Sequence, residues 1–206
     1  MPKPTERSRI FLLSPAHCGG KRAELLLRAE AVFPLALRLR SQQGITLGEA
    51  FSFLSGLYFR GKLTYASRFA RPAGDPSRVQ VITTHRGLLS AQTRVGLEEL
   101  RAFGAVDIKA NDPRYREPLA RDITRIAEDP RVELVLLGSV ATGKYMDVLL
   151  EMVGKRLLFP SDFVGRGDMS RGALLLRAAQ EGRELAYQQA AGPLSHSRAR
   201  PKLGVR

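Results

Sequence analysis

The chain predicts an α/β fold, a mostly parallel sheet of four to five strands with helices packed on it, and three observations carry that expectation. Short apolar runs of strand length alternate with longer stretches of helical period. Each apolar run gives way to a polar segment rich in Gly, Pro or Ser before the next helical pattern begins. No internal repeat or low-complexity linker interrupts the order, so the elements belong to one alternating domain.

Residues 9–14 (RIFLLS) form the first strand, closed by Pro15 and by Gly19-Gly20. Two helical stretches follow, 21–30 and 34–42, the second started by Pro34, whose fixed φ suits a first helical turn. Thr46 and Glu49 have capping-box spacing ahead of residues 47–70, a helix that breaks or bends near Ser55-Gly56. The turn at 71–77 leads to the second strand, 78–84 (RVQVITT), and to a short helix at 96–103. Asp112 caps and Pro113 opens a helix that runs to the Asp129-Pro130 break. Residues 132–139 (VELVLLGS) are the third strand, 144–154 its helix, and 156–163 (RLLFPSDF) the fourth strand. Asp168 is expected to cap the helix at 169–183, and 184–190 (ELAYQQA) offers a fifth strand.

This gives an N-terminal extension at 1–8, a single α/β domain at 9–194 and a basic tail at 195–206, with four Lys/Arg and no acidic residue in the tail. With 44% hydrophobic and 26% charged residues the chain can bury an ordinary core. Thirty-three Lys and Arg against 20 Asp and Glu leave a net charge of +13, which favours a polyanionic partner. No run reaches the ~18 apolar residues of a spanning helix, and 1–9 lacks the apolar centre of a signal peptide, so a cytoplasmic protein without membrane contact is expected. Cys18 is the only cysteine, so no internal disulfide can form. His17, Cys18 and His85 lack metal-ligand spacing, and no metal or cofactor is expected.

In open parallel sheets ligands bind beyond the carboxyl ends of the strands, and the four loops there carry the candidate site. Residues 14–22 (SPAHCGGKR), 83–90 (TTHRGLLS), 138–145 (GSVATGKY) and 160–172 (PSDFVGRGDMSRG) contain Lys21, Arg22, His85, Arg86, Lys144, Arg166 and Arg171, against only two carboxylates, Asp162 and Asp168. That excess implies an anionic ligand, although strand-to-helix turns also use Gly, Ser and Asp on purely structural grounds. The third loop has phosphate-loop spacing, Gly138 to Gly143-Lys144, but Tyr145 stands where a Ser or Thr would hold magnesium. Nucleotide hydrolysis is therefore set aside in favour of an anion-contacting turn involving Ser139 and Lys144.

The order LLSPAHCGGKRA, SGLYFRGKLTYA, VITTHRGLLS resembles a pattern in uncharacterised bacterial proteins and in the core domain of archaeosine synthase, which are related in fold to uracil-DNA glycosylases. The resemblance spans roughly 9–177 and reaches Cys18, Gly20 and Lys21, then Tyr58, Phe59, Arg60 and Lys62, then Arg86, Gly87 and Leu88. It implies a three-layer α/β/α scaffold and a nucleobase-handling site. The glycosylases' water-activating segment and their His-Pro-Ser loop have no counterpart here.

Three functions are consistent with these residues. The first is an enzyme directed at a nucleic acid or nucleotide, acting on a base or an N-glycosidic bond in the manner of a glycosylase or transglycosylase. Asp162 or Asp168 would be its carboxylate and Phe163, Tyr58 and Phe59 its walls, with the cations Lys21, Arg60, His85, Arg86, Lys144, Arg166 and Arg171 binding substrate. Asp162, free of a capping duty, is the preferred catalytic carboxylate, unless it pairs with Arg166 and only fixes the loop. The second is a non-catalytic nucleic-acid-binding protein with a basic surface. The third uses Cys18 as a nucleophile with a lowered pKa, assisted by His17 or His85.

Overall fold

The computed structural model describes residues 8–140 and 143–190, so residues 1–7 of the expected 1–8 extension, Ala141 and Thr142 of the third loop, residues 191–194 and the basic tail lie outside the described residues. Six strands form one sheet in the order β4-β3-β1-β6-β7-β8: β1 Ser8–Leu13, β3 Val79–Ile82, β4 Leu88–Ser90, β6 Val132–Leu137, β7 Leu157–Pro160 and β8 Tyr187–Gln189. The four central strands are parallel and the edges β4 and β8 are antiparallel. A two-stranded ribbon, β2 Ile45–Thr46 with β5 Arg94–Val95, stands apart.

Strand alternation sorts the core into two layers. Phe11, Leu13, Val135 and Leu137 face the side covered by α1 Lys21–Leu27, α2 Pro34–Arg40, α3 Leu47–Ser55, α4 Leu57–Phe69, α5 Leu97–Gly104 and α8 Asp168–Glu181. Ile10, Leu12, Leu134 and Leu136 face α6 Pro113–Ala127 and α7 Gly143–Val153. The fold is thus α/β/α in three layers.

Several local signals act as expected. Thr46 Oγ1 accepts from Glu49 N while Glu49 Oε2 accepts from Thr46 N, completing the capping box. Pro34 opens α2, and Asp112 Oδ1 accepts from Arg114 N at the start of α6. The 47–70 stretch breaks at Gly56, whose φ of 62° ends α3 and starts α4. Two expectations need correction. The sheet has six strands because Leu88–Ser90, read as loop, turns back on β3 through Gly87 at φ 67°. Gly87 is held so close to α6 that a Cβ would fall 2.2 Å from Asp122 Oδ2, which itself accepts from Leu88 N. The α8 cap is Gly167, with Asp168 as first helical residue and no side-chain cap bond.

Helices α4 and α8 cross at their glycines. A Cβ on Gly61 would lie 2.6 Å from Gly172 O, and one on Gly172 would lie 2.8 Å from Tyr58 Cα. Only hydrogen at both positions permits this backbone contact, and it brings one face of α4 against the first turn of α8.

Candidate functional site

The chain leaves β1 towards β3 on one side of the sheet and later returns to place β6 on the other side of β1. The loops after β1 and β6 therefore diverge to opposite layers, the condition for a crevice at a topological switch point. Their starts are tied together: Ser14 N donates to Leu137 O at 3.1 Å, and Gly138 lies so close that a Cβ there would meet the Ser14 Cβ at 3.0 Å. A cavity of about 430 Å³ opens at this point. Its walls come from Ser14, His17, Lys21 and Arg22 after β1, Tyr58 and Lys62 on α4, Ser139 and Tyr145 after β6, and Asp168 on α8. A second cavity of about 410 Å³ shares Pro15, Ala16, His17 and Tyr145 with the first and reaches Cys18, Thr84, Lys109 and Lys144. The two are lobes of one groove along the carboxyl ends of the strands.

At the floor of the first lobe is Lys62, 1% exposed. Its Nζ donates to Ser14 O at 2.5 Å and Ser14 Oγ at 2.9 Å, and lies 4.4 Å from the Tyr58 ring centre and 4.9 Å from that of Phe59. No carboxylate pairs with it among the described residues. Burial pulls its pKa from the ordinary 10.5 down to about 7, against the opposing pull of Asp168. A lysine in the middle of a helix would ordinarily be exposed. Here the i, i+4 relation to Tyr58 puts it on the buried face of α4, against α8, where it meets only the cavity floor.

Tyr58 is buried too, and its hydroxyl is the one buried side-chain polar atom among the described residues without a hydrogen bond. Burial pushes its pKa up; Arg171 opposes this electrostatically without hydrogen-bond geometry to the hydroxyl in the structure. Tyr145 is pushed up to about 12 by burial and by Asp168. At the rim, Arg22 Nη1 donates to Phe53 O at 3.1 Å and lies over Gly56, where a Cβ would come within 2.7 Å of it. The His17 ring sits over Gly19 and Gly20, and Lys21 is exposed.

The remaining candidates are dispersed. Asp162 is exposed on a single turn, Ser161–Phe163, and lines neither lobe. It accepts from Arg166 Nε through its backbone carbonyl, so the Asp162–Arg166 pairing expected as the structural alternative is made by main chain rather than carboxylate. Phe163 is wholly buried in the core and cannot stack on a ligand. Arg171 does not reach for phosphate: Nε and Nη2 donate to Phe163 O, and Nη1 lies 3.5 Å from Asp168 Oδ1. Asp168, relieved of capping, keeps an exposed carboxylate on the cavity wall. Cys18 is buried, with burial raising its pKa to about 12, the reverse of the activation expected for a nucleophile. Arg86 is exposed and pairs with Glu99, while His85 packs on Phe103 with its pKa lowered by burial and by Arg86. Arg60 is exposed on another face of α4. Lys144 is exposed at the second lobe, but the rest of its turn, Ala141-Thr142, lies outside the described residues.

No helix among the described residues is long and apolar enough to cross a membrane. Comparison of the chain with protein-family models, curated proteins and solved structures found no match.

Proposed function

We propose that the protein is an enzyme acting on a nucleotide, free or within a nucleic acid, at the base or the N-glycosidic bond. The carrying observation is the switch-point cavity, which joins a buried amine, two tyrosines, one carboxylate and a cationic rim in a space within the ~300–1,000 Å³ of small-molecule sites. An oxocarbenium-like state needs a carboxylate beside the sugar, and among the described residues Asp168 is the only one on that wall. Lys21, Arg22 and His17 suit a phosphate at the rim, and Tyr58 and Tyr145 suit the edge of a base. Support also comes from the resemblance, since Lys21 of its first cluster and Tyr58 and Lys62 of its second meet in this lobe. Its third cluster, Arg86, Gly87 and Leu88, builds the β3–β4 hairpin instead.

The net charge of +13 favours a polyanionic form of the substrate, and it is equally what a binding protein without a reaction would carry. One experiment separates these. Mononucleotides and single- and double-stranded oligonucleotides are titrated at several salt concentrations, and released base is followed chromatographically. The enzyme reading expects binding that weakens with salt and base release reduced about a hundred-fold or more by Asp168→Asn but not by Asp162→Asn. Binding without release supports the non-catalytic reading, and no binding at low salt refutes both.

A further inference from the structure

Resting on the nucleotide-directed reading of the same cavity, we infer that Lys62 is a covalent nucleophile, forming an imine with the aldehyde carbon of an open-chain sugar phosphate. Its surroundings are those of a reactive amine more than of a binding cation. The side chain forms cavity wall, yet no carboxylate pairs with it among the described residues. Ser14 O and Oγ accept two of its hydrogens, which leaves the third position on nitrogen for a proton or a lone pair. With its pKa at about 7, half of the amine is neutral at pH 7, whereas roughly one in three thousand of an ordinary lysine is.

An independent observation points to an oxygen-bearing ligand. The Tyr58 hydroxyl is buried without a hydrogen-bond partner, and it belongs to a residue that lines the same cavity and is 6% exposed. The Tyr58 ring is also one against which Lys62 Nζ packs, 4.4 Å from its centre. A carbonyl oxygen accepting from that hydroxyl would place its carbon near the amine, while the rim cations hold the phosphate.

The step balances without any further reactant. The Nζ lone pair forms the C–N bond as the carbonyl π pair moves to oxygen, which takes a proton. The carbinolamine then loses that oxygen as water, its two hydrogens coming from the amine in net terms, and the nitrogen lone pair closes the C=N bond. Nothing is oxidised or reduced.

The full chain is incubated with deoxyribose 5-phosphate or ribose 5-phosphate at pH 7 with cyanoborohydride, which reduces an imine to a stable amine, and the adduct is located by peptide mass mapping. The expected result is one adduct, on Lys62, absent in Lys62→Met and formed about ten-fold more slowly in Tyr58→Phe. Adducts confined to exposed lysines such as Lys21, Lys109 and Lys144, or no adduct at all, would overturn the proposal. Mapping of the wild-type chain decides this even where a variant does not fold. Nucleotide binding measured on the same preparation keeps the two readings apart: an adduct without nucleotide binding leaves the imine standing and removes the nucleotide reading, and binding without an adduct does the reverse.

Discussion

Replacing Lys62 by Met keeps the length of the buried stem and removes the titrating group, which turns the burial of the amine into a measurable dependence of stability on pH. In the folded protein the amine has a pKa of about 7 because burial disfavours its charge; in the unfolded chain it returns to about 10.5. Between those values unfolding takes up a proton, so Lys62 makes wild-type stability rise with pH, and below 7 its contribution stays on a low plateau. Facing groups modulate this without reversing it: the Asp168 carboxylate favours the charged form, as do the Tyr58 and Phe59 ring faces over which Nζ lies. Linkage gives about 2 kcal/mol of stability gained by wild type relative to Lys62→Met between pH 7 and pH 9. Equilibrium urea unfolding of both proteins at pH 6, 7, 8 and 9 measures it, since other groups cancel in the difference and the loss of the Ser14 bonds enters as a pH-independent offset. A difference that is flat from pH 7 to pH 9 would mean that Lys62 stays charged on folding, without the neutral form that imine formation at pH 7 requires.

Two further outcomes test the frame around the site. Gly172→Ala should destabilise by about 2 kcal/mol or more, because the new methyl falls 2.8 Å from Tyr58 Cα and the helices must separate; thermal unfolding checks it, and a drop below half a kcal/mol would show that the crossing yields easily. At the opposite end of the sheet, Arg9 on β1 is shared between Glu133, at 2.7 Å, and Glu184, which also binds Arg71 at 2.9 Å. Arg9→Met removes charge-assisted contacts from two partly buried carboxylates, of which Glu184 keeps Arg71, and should cost about 2 kcal/mol in urea unfolding while ligand affinity at the cavity is unchanged.

The parts of the fold legible in the sequence are those set by local chemistry. Thr46 with Glu49, Pro34, and Asp112 with Pro113 specify helix starts through bonds or dihedrals confined to a few residues, and the apolar runs specify the four parallel strands. What escaped depends on contacts distant in sequence. Leu88–Ser90 becomes a strand because Asp122, far along the chain, anchors its first amide. Asp168 misses the cap by one residue because Gly167 takes the extended conformation there. Lys62 enters the sequence reading only through the resemblance, because its burial depends on α8 lying across α4 and its spacing from Tyr58 is the sole local signal of that. Of the segments expected to converge, those after β1 and β6 do so, because the switch in strand order directs them to one crevice. The segment after β3 gives Thr84 to the second lobe and is then drawn back into a hairpin, and Asp162, Phe163 and Arg166 after β7 lie outside that crevice.

The same topology gives Tyr145 a physical role. In a phosphate loop the residue after the lysine carries a short hydroxyl for a metal, and an aromatic ring there is a defect. Here Tyr145 belongs to the wall common to both lobes of the groove, its hydroxyl held protonated by burial and by the field of Asp168. A ligand spanning the lobes would have to pass this ring and His17, with Lys62 and Asp168 on one side and Lys109 and Lys144 on the other. With the phosphate of the proposed substrate at the Lys21, Arg22 and His17 rim, Lys109 and Lys144 suit a further anionic group beyond it. The lysine of the phosphate-loop spacing lies apart from the buried amine: Lys144 is exposed at the second lobe and suited to attract charge, whereas Lys62 is buried at the floor of the first, where the proposed imine would form.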